Sequence, residues 1–515
     1  MVSAQTTELS LEQKAARMCV VGIAGYEPGV SFGERLRRLP FGGIGMFPHN
    51  IESESQARQF IKGVAAAAEH LALPKPYYIS IDEEGGSLSN FRRFYPYLPG
   101  NRAVGLSGDS EAAYLQGKLI GSQLIELGVP MNWAPVLDVN TNIANPVVGI
   151  RAYGESPEQV ASFGAAFIRG LHEVGVAATA KHFPGHGQVE GDSHYVLPSC
   201  DLTLEELLAG PIVPFVRAIN AGTDAIMMAH ILFPRIPESN GLPSSLSPFF
   251  VTELLRNRLC YEGVICTDDV EMGAIMDNFE PRRIGELAVM AGNDMILMCH
   301  TREFQDEVVA GIVAAVERGD IPMAQIDASV ARIDRMHETM EVYRREARPV
   351  PREQWAARAL ELARSTIRVA ADPRGLLPLD RTRTYALIQT KQEAFTKADI
   401  SGENEIGLTE RLSARGLSVM RILVPINPSA SEIAEALAQA AACDAVLLCT
   451  VNAHLHEGQI ELAQAAAAVK PLVTLVMRNP YDEPLLPVEA TRVLACSTAD
   501  STLEALSELL VEING

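Results

Sequence analysis

The stretch Gly175-Val176-Ala177-Ala178-Thr179-Ala180-Lys181-His182-Phe183-Pro184-Gly185-His186-Gly187-Gln188-Val189-Glu190-Gly191-Asp192-Ser193-His194 changes character in its middle. Val176–Ala180 is small and apolar, the pattern of a short buried strand; from Lys181 onward, histidines, a lysine and acids stand among Pro and Gly breakers, the pattern of a loop. A strand running straight into such side chains delivers them to one end of a sheet. The same alternation recurs along the first 300 residues, with strand-like runs at Cys19–Ala24, Gly43–Phe47, Tyr77–Ile81, Val129–Ala134, Ala225–Met228, Gly263–Cys266 and Met295–Met298. Helical patterns separate them at Ser53–His70, Ser110–Leu127, Pro157–Val174, Leu204–Asn220, Pro248–Leu259, Pro281–Ala291 and Glu303–Arg318, several opened by a Ser, Thr or Asp cap. Eight βα units predict a (β/α)8 barrel of the TIM type, whose active site forms at the C-terminal ends of the strands. Asp82-Glu83-Glu84, Asp138, Lys181-His182, His230 and Asp268-Asp269 stand at five such ends.

A chain of 515 residues is too long for one compact core, and 47% hydrophobic with 21% charged residues describes a globular protein. The barrel is expected over 1–343. The charged, proline-bearing Arg344–Arg352 reads as a linker, followed by a helix over Gln354–Ala370, the two together filling 344–371. Beyond, 372–515 reads as a smaller α/β sandwich domain with parallel strands at Tyr385–Gln389, Ser418–Val424, Ala445–Thr450, Leu472–Met477 and Val493–Cys496. The net charge of −21 opposes nucleic acid and anionic membranes as partners. No segment has the apolar length of a membrane span and the N-terminus lacks a leader pattern, so a cytoplasmic location is expected. The eight cysteines lack paired spacing and read as small buried hydrophobes, and neither metal nor cofactor is called for.

Asp192 and His194 stand two apart, close enough for the carboxylate to fix the imidazole tautomer and raise its basicity, as general acid/base chemistry near neutral pH requires. Taken alone, Asp-x-His is also what an ordinary capped turn looks like. Similarly, Asp268-Asp269 after the apolar Gly263–Cys266 fits either a reactive strand end or a helix cap.

The long run at 181–194 resembles the KHFPGHG…DSH signature of bacterial β-N-acetylglucosaminidases of glycoside hydrolase family 3, and Gly263–Met272 resembles the family's second catalytic segment. The resemblance implies Asp268 as nucleophile and the His194–Asp192 pair as acid/base. It implies sugar-binding roles for Asp82, for Arg151 in Asn145–Gly154, for Lys181 and His182, and for His230 in Met227–His230; Asn132–Asp138 is similar to the family's N-x-A-P-x-x-D strand end. Segments Leu376–Leu379 and Arg478–Asp482 resemble the family's C-terminal domain. The activity so implied is that of a retaining exo-β-glycosidase acting on a small carbohydrate, terminal β-N-acetylglucosamine of cell-wall-derived glycans. One segment departs from the pattern. In Ile81–Asn90, Ser87 and Asn90 occupy positions where the family has arginines, and Arg92 and Arg93 come two and three residues late.

Other readings differ in their chemistry. A β-glucosidase or β-xylosidase of the same family would take its acid/base glutamate from the second domain, where Glu457 and Glu461 are the candidates; phosphate as acceptor would make the enzyme a phosphorylase. A metal-dependent barrel would use His182, His186, His194 and His230, although no His-x-His pair is present. A non-catalytic sugar-binding descendant would fit Ser87 and Asn90 but not the retained Asp268.

Overall fold

The computed structural model describes residues 9–68, 78–391, 399 and 406–512. Eight strands pair in chain order and close into a parallel barrel: β1 (Cys19–Gly22), β2 (Gly43–Met46), β3 (Tyr78–Ile81), β4 (Met131–Asn132), β5 (Ala177–Phe183), β6 (Ala225–Met228), β7 (Val264–Asp269) and β8 (Met295–Met298), with β8 returning to β1. Covered on both faces, they are continuous apolar runs. The helices outside bury matching stripes. Along Pro157–Glu173, Val160, Phe163, Phe167 and Leu171 recur at helical spacing and are buried, and the helix opens on Ser156, whose hydroxyl accepts from the Gln159 amide, with Pro157 at its first position.

Element boundaries differ from the sequence reading where backbone chemistry intervenes. Pro130 and Pro135 have no amide hydrogen, so β4 shrinks to two residues within the expected Val129–Ala134. Strand β5 continues through Lys181 and His182 to Phe183, and β7 continues to Asp269, so these residues are strand ends and not loop residues. The segment Phe249–Arg258, expected as an α-helix, is wound as a π-helix closed by the Leu259 amide on the Leu254 carbonyl. His70 and Tyr77, placed at an expected helix end and strand start, lie outside the described residues.

The last barrel helix, Met323–Glu346, runs into the expected linker. The next helix, Trp355–Thr366, ends before the expected Ala370, because Ile367-Arg368-Val369 passes into a strand, β9 (Arg368–Ala371). This corrects the all-parallel expectation. The second sheet has the order β11-β10-β12-β13-β14-β9, in which β10 (Thr384–Thr390), β11 (Ser418–Val424), β12 (Ala445–Thr450), β13 (Leu472–Val476) and β14 (Thr491–Leu494) are parallel and β9 is an antiparallel edge on β14. Helices cover both faces, burying separate clusters around Leu387, Leu447 and Leu506 on one side and Val446, Leu462 and Ala466 on the other. The sheet domain docks on the barrel through Ser501, whose hydroxyl donates to the Tyr97 carbonyl, and Arg368, which donates to the Leu106 and Ser107 carbonyls.

At the barrel end opposite the strand termini, Asp294 is fully buried and accepts from Arg256, Arg332, the Ser329 hydroxyl and the Ile265 amide, tying β7 and β8 to the last barrel helix. Asp294→Ala leaves these donors without an acceptor and should lower the unfolding free energy by about 3–5 kcal/mol, measured by chemical denaturation. A loss below about 1 kcal/mol would show that solvent replaces the carboxylate.

Candidate active site

The C-terminal ends of the strands open on a cavity of about 470 Å³, within the range that small-ligand sites occupy. From β3, β5 and the loop after β4 come Asp82, Lys181 and Arg151; from β5, β7 and the 184–200 loop come His182, Asp268 and His194. These six expected residues line one cavity. Asp192 stands immediately behind His194.

On one wall, buried charges compensate each other. Lys181 Nζ is 2.6 Å from Glu84 Oε1 and also bonds Asp82, while Arg151 grips Glu84 with two parallel bonds of 2.8 and 2.9 Å. Burial pushes the Glu84 carboxyl up, but Arg151 and Lys181 outweigh it and bring it down to about 2. Burial works against the Lys181 ammonium, yet the two carboxylates raise its pKa and keep it charged. Arg151 is therefore not a solvated surface arginine. It is buried and paired with Glu84 through Nε and Nη2, its Nη1 lies 3.4 Å from the Val147 carbonyl, and it lines the cavity. Asn90 lines the same wall. Its backbone amide donates to Glu83 Oε2 at 2.7 Å, its side chain donates to the Asp82 carbonyl, and its Oδ1 is buried with no partner among the described residues. Ser87 lies elsewhere, beside Ile150 and Arg478 at the boundary with the second domain, and neither Arg92 nor Arg93 lines the cavity.

Below, Asp138 is fully buried and accepts from His182 Nδ1 at 2.7 Å and from the amides of His182 and His186. Burial raises its pKa, and the two histidines and these bonds more than offset it, leaving it lowered. The ionised carboxylate fixes a proton on His182 Nδ1, so Nε2 is the ring atom turned toward the reaction space. His186 lies deeper, 3.2 Å from the Ser193 hydroxyl, and burial pushes it down to about 4.

On the opposite wall, the two candidate nucleophiles separate clearly. Both oxygens of Asp269 are engaged, Oδ2 by His300 Nε2 at 3.0 Å and Oδ1 by the amides of Glu271 and Cys299. Asp268 receives one hydrogen bond among the described residues, from the Asp269 amide to Oδ1 at 2.8 Å. Burial raises the Asp268 carboxyl, but His182 and His230 hold it below the usual range, so it is ionised. It is an anion with a free edge facing the cavity. His194 Nδ1 is 2.7 Å from Asp192 Oδ1, which also accepts the His194 amide. Burial opposes the Asp192 charge and these two bonds prevail, lowering its pKa.

His230 does not fit the expected pocket wall. Its Nε2 donates to the Asp269 carbonyl at 3.1 Å and its Nδ1 is 2.7 Å from the Ser245 hydroxyl, so it lies behind the Asp268–Asp269 turn with both nitrogens occupied. Burial lowers its pKa, with the Asp268 and Asp269 charges working the other way. Glu457 and Glu461 are exposed and do not line the cavity. Other lining residues were not singled out from sequence. Phe47 and His300 follow β2 and β8 and pack 5.4 Å apart, and Trp133 follows β4, so the strand-end rule that found Lys181 points equally to them. Met272 and Met276, on the turn after β7, carry no comparable signal.

Comparison with known proteins agrees with this architecture. Residues 10–336 match the glycosyl hydrolase family 3 N terminal domain. A beta-hexosaminidase of Stenotrophomonas maltophilia is 36% identical over 303 residues, 57% of this chain and 87% of that protein, and one of Xanthomonas campestris is 34% identical over 322 residues, 61% and 92%. The structure of a family 3 β-N-acetylglucosaminidase from Paenibacillus sp. strain FPU-7 superposes with a TM-score of 0.90 at 32% identity, covering 98% of this chain and 97% of that one. A beta-glucoside phosphorylase at 22% identity and a TM-score of 0.80 shares the fold. The fold and the matches define a glycoside hydrolase. The chain belongs to glycoside hydrolase family 3.

The Glu84 pair carries a pH signature. With its carboxyl at about 2 against an ordinary value of 4.5, its stabilisation is complete above the ordinary value and is lost as pH falls through the folded one. Glu84→Gln should therefore lower the melting temperature at neutral pH and flatten its decline between about pH 5 and about pH 2.5. A decline parallel to that of the parent would show that Glu84 is not the anion that Arg151 and Lys181 hold.

Proposed function

We propose that the chain is a retaining exo-β-N-acetylhexosaminidase that removes terminal β-N-acetylglucosamine from cell-wall-derived glycans. The observation that carries the mechanism is the asymmetry of the two adjacent acids: Asp269 spends both oxygens on protein donors and Asp268 keeps a free edge toward the cavity. Asp268 attacks the anomeric carbon as the bond to the leaving oxygen breaks, giving a covalent glycosyl-enzyme. His194, held by Asp192, gives its Nε2 proton to that oxygen; the same nitrogen then takes a proton from the incoming water, whose oxygen displaces Asp268. A neutral base beside an anionic nucleophile avoids the repulsion that a second carboxylate would add.

Asp82, Lys181, Arg151 and His182 supply acceptors and donors for ring hydroxyls around the cavity. The relatives at 34–36% identity are beta-hexosaminidases, which supports hexosaminidase over glucosidase specificity. The eight cysteines stand as free thiols, which supports a reducing, cytoplasmic setting.

A side-by-side assay of aryl β-N-acetylglucosaminide, β-glucoside and β-xyloside, with and without phosphate, tests the reading. The N-acetylglucosaminide should be cleaved fastest by at least about tenfold in kcat/KM, the ratio that about 1.4 kcal/mol of transition-state discrimination gives, and phosphate should leave the product a free sugar. Preference for the glucoside, or a sugar phosphate as main product, would overturn it.

A further inference from the structure

Among the described residues the second domain contributes no group to the cavity lining, yet one of its side chains reaches the loop that supports the acid/base residues. Tyr481, in the segment after β13, accepts at its hydroxyl from Asn140 Nδ2 at 2.8 Å and donates to Glu155 Oε1 at 2.6 Å. Arg102 pairs with the same Glu155 Oε1 at 2.6 Å and lies over the tyrosine ring. The ring also packs edge-on against His454, whose Nδ1 is 2.7 Å from the buried Asp482. The tyrosine is thus held by both domains, its hydroxyl by barrel residues and its ring by His454. Asn140 and Glu155 bracket the loop after β4, which carries Arg151.

That loop also carries the 186–194 segment. The Asn142 amide donates to the Gly187 carbonyl, Asn142 Nδ2 donates to the Val189 carbonyl, and Asn145 Nδ2 donates to the His186 and Val189 carbonyls. The two backbones touch. A Cβ built on Gly187 would stand 1.9 Å from the Val139 carbonyl oxygen, so this glycine is required by close approach. Three residues beyond Val189 comes Asp192, and after Ser193 comes His194. The loop carrying the acid/base pair is therefore bonded to the β4 loop at its start, and the β4 loop is pinned at Asn140 by the second domain.

We propose that Tyr481 is a positioning residue for the acid/base pair, through which the second domain holds His194 at the distance that proton transfer requires. The inference rests on the acid/base reading of His194 given above. Proton transfer is steep in distance, so a loop displaced by a fraction of an ångström loses general acid catalysis before it loses sugar binding.

The test compares the parent, Tyr481→Phe, His194→Ala and the double variant across aryl N-acetylglucosaminides of graded leaving-group pKa. Tyr481→Phe keeps the ring contacts and deletes both hydroxyl bonds. It should slow the poorest leaving group by about fivefold or more, of the order that one lost hydrogen bond gives, and the best by less than about twofold, because an activated leaving group needs little protonation. In the His194→Ala background the same substitution should add no further loss, since its effect is routed through His194. Asn140→Ala, which deletes the other partner, should give the same pattern and carries the test if Tyr481→Phe does not fold. A uniform loss across the series, or full additivity with His194→Ala, would overturn the positioning role. A His194→Ala enzyme with no leaving-group dependence would instead overturn the acid/base reading itself.

Discussion

In a parallel barrel every strand ends at the same mouth, and in this chain that constraint determines where charge can be buried. Strands β3, β5 and β7 bring Asp82, Lys181 and Asp268 to one rim. Isolated, each would pay several kcal/mol to leave water. Grouped, they compensate: Lys181 bridges Asp82 and Glu84, Arg151 saturates Glu84, and His182 and His230 flank Asp268. The wall is thus a set of interlocked ion pairs that holds its shape without a ligand, the preorganisation that sugar hydroxyls and a developing positive charge at the anomeric carbon can exploit.

The same economy gives neighbouring groups different tasks. Asp268 and Asp269 are adjacent, but alternation along a strand and the turn after β7 send one into the cavity and the other onto His300 and two amides. Three histidines close in sequence diverge likewise. His182 is oriented by the buried Asp138, His186 is driven down to about 4 by burial and spends itself on Ser193, and His194 stands at the rim on Asp192. Only the last combines a carboxylate partner with access to solvent, which a group that takes up and releases a proton in each turnover needs.

The barrel was legible because eight apolar runs with helical spacers leave few alternatives, and strand ends mark its working face. Where the reading failed, nonlocal partners decided. His230 looked like a pocket wall until Ser245 and the Asp269 carbonyl claimed its ring. Arg151, expected as a sugar-binding residue, carries no local sign of its partner Glu84, which is 67 positions away. The antiparallel β9 was hidden inside an expected helix, although Ile367 and Val369 there are β-branched and poor helix formers. Tyr481 carries no local sign that it meets Asn140, which lies 341 positions earlier. Of the two departures from the family's arginines, the structure makes only one part of the cavity: Asn90, with a buried oxygen that has no partner among the described residues, faces it and Ser87 does not.

The account turns on Asp268 as the atom donor to the covalent intermediate. Incubation with an activated N-acetylglucosaminide bearing fluorine beside the ring oxygen at C5, which slows release of the glycosyl-enzyme, followed by peptide mapping, reads the attachment site directly. The account predicts a single labelled peptide with the sugar esterified to Asp268 and recovery of activity as the ester turns over. Attachment at Asp269 or at any other residue would contradict it.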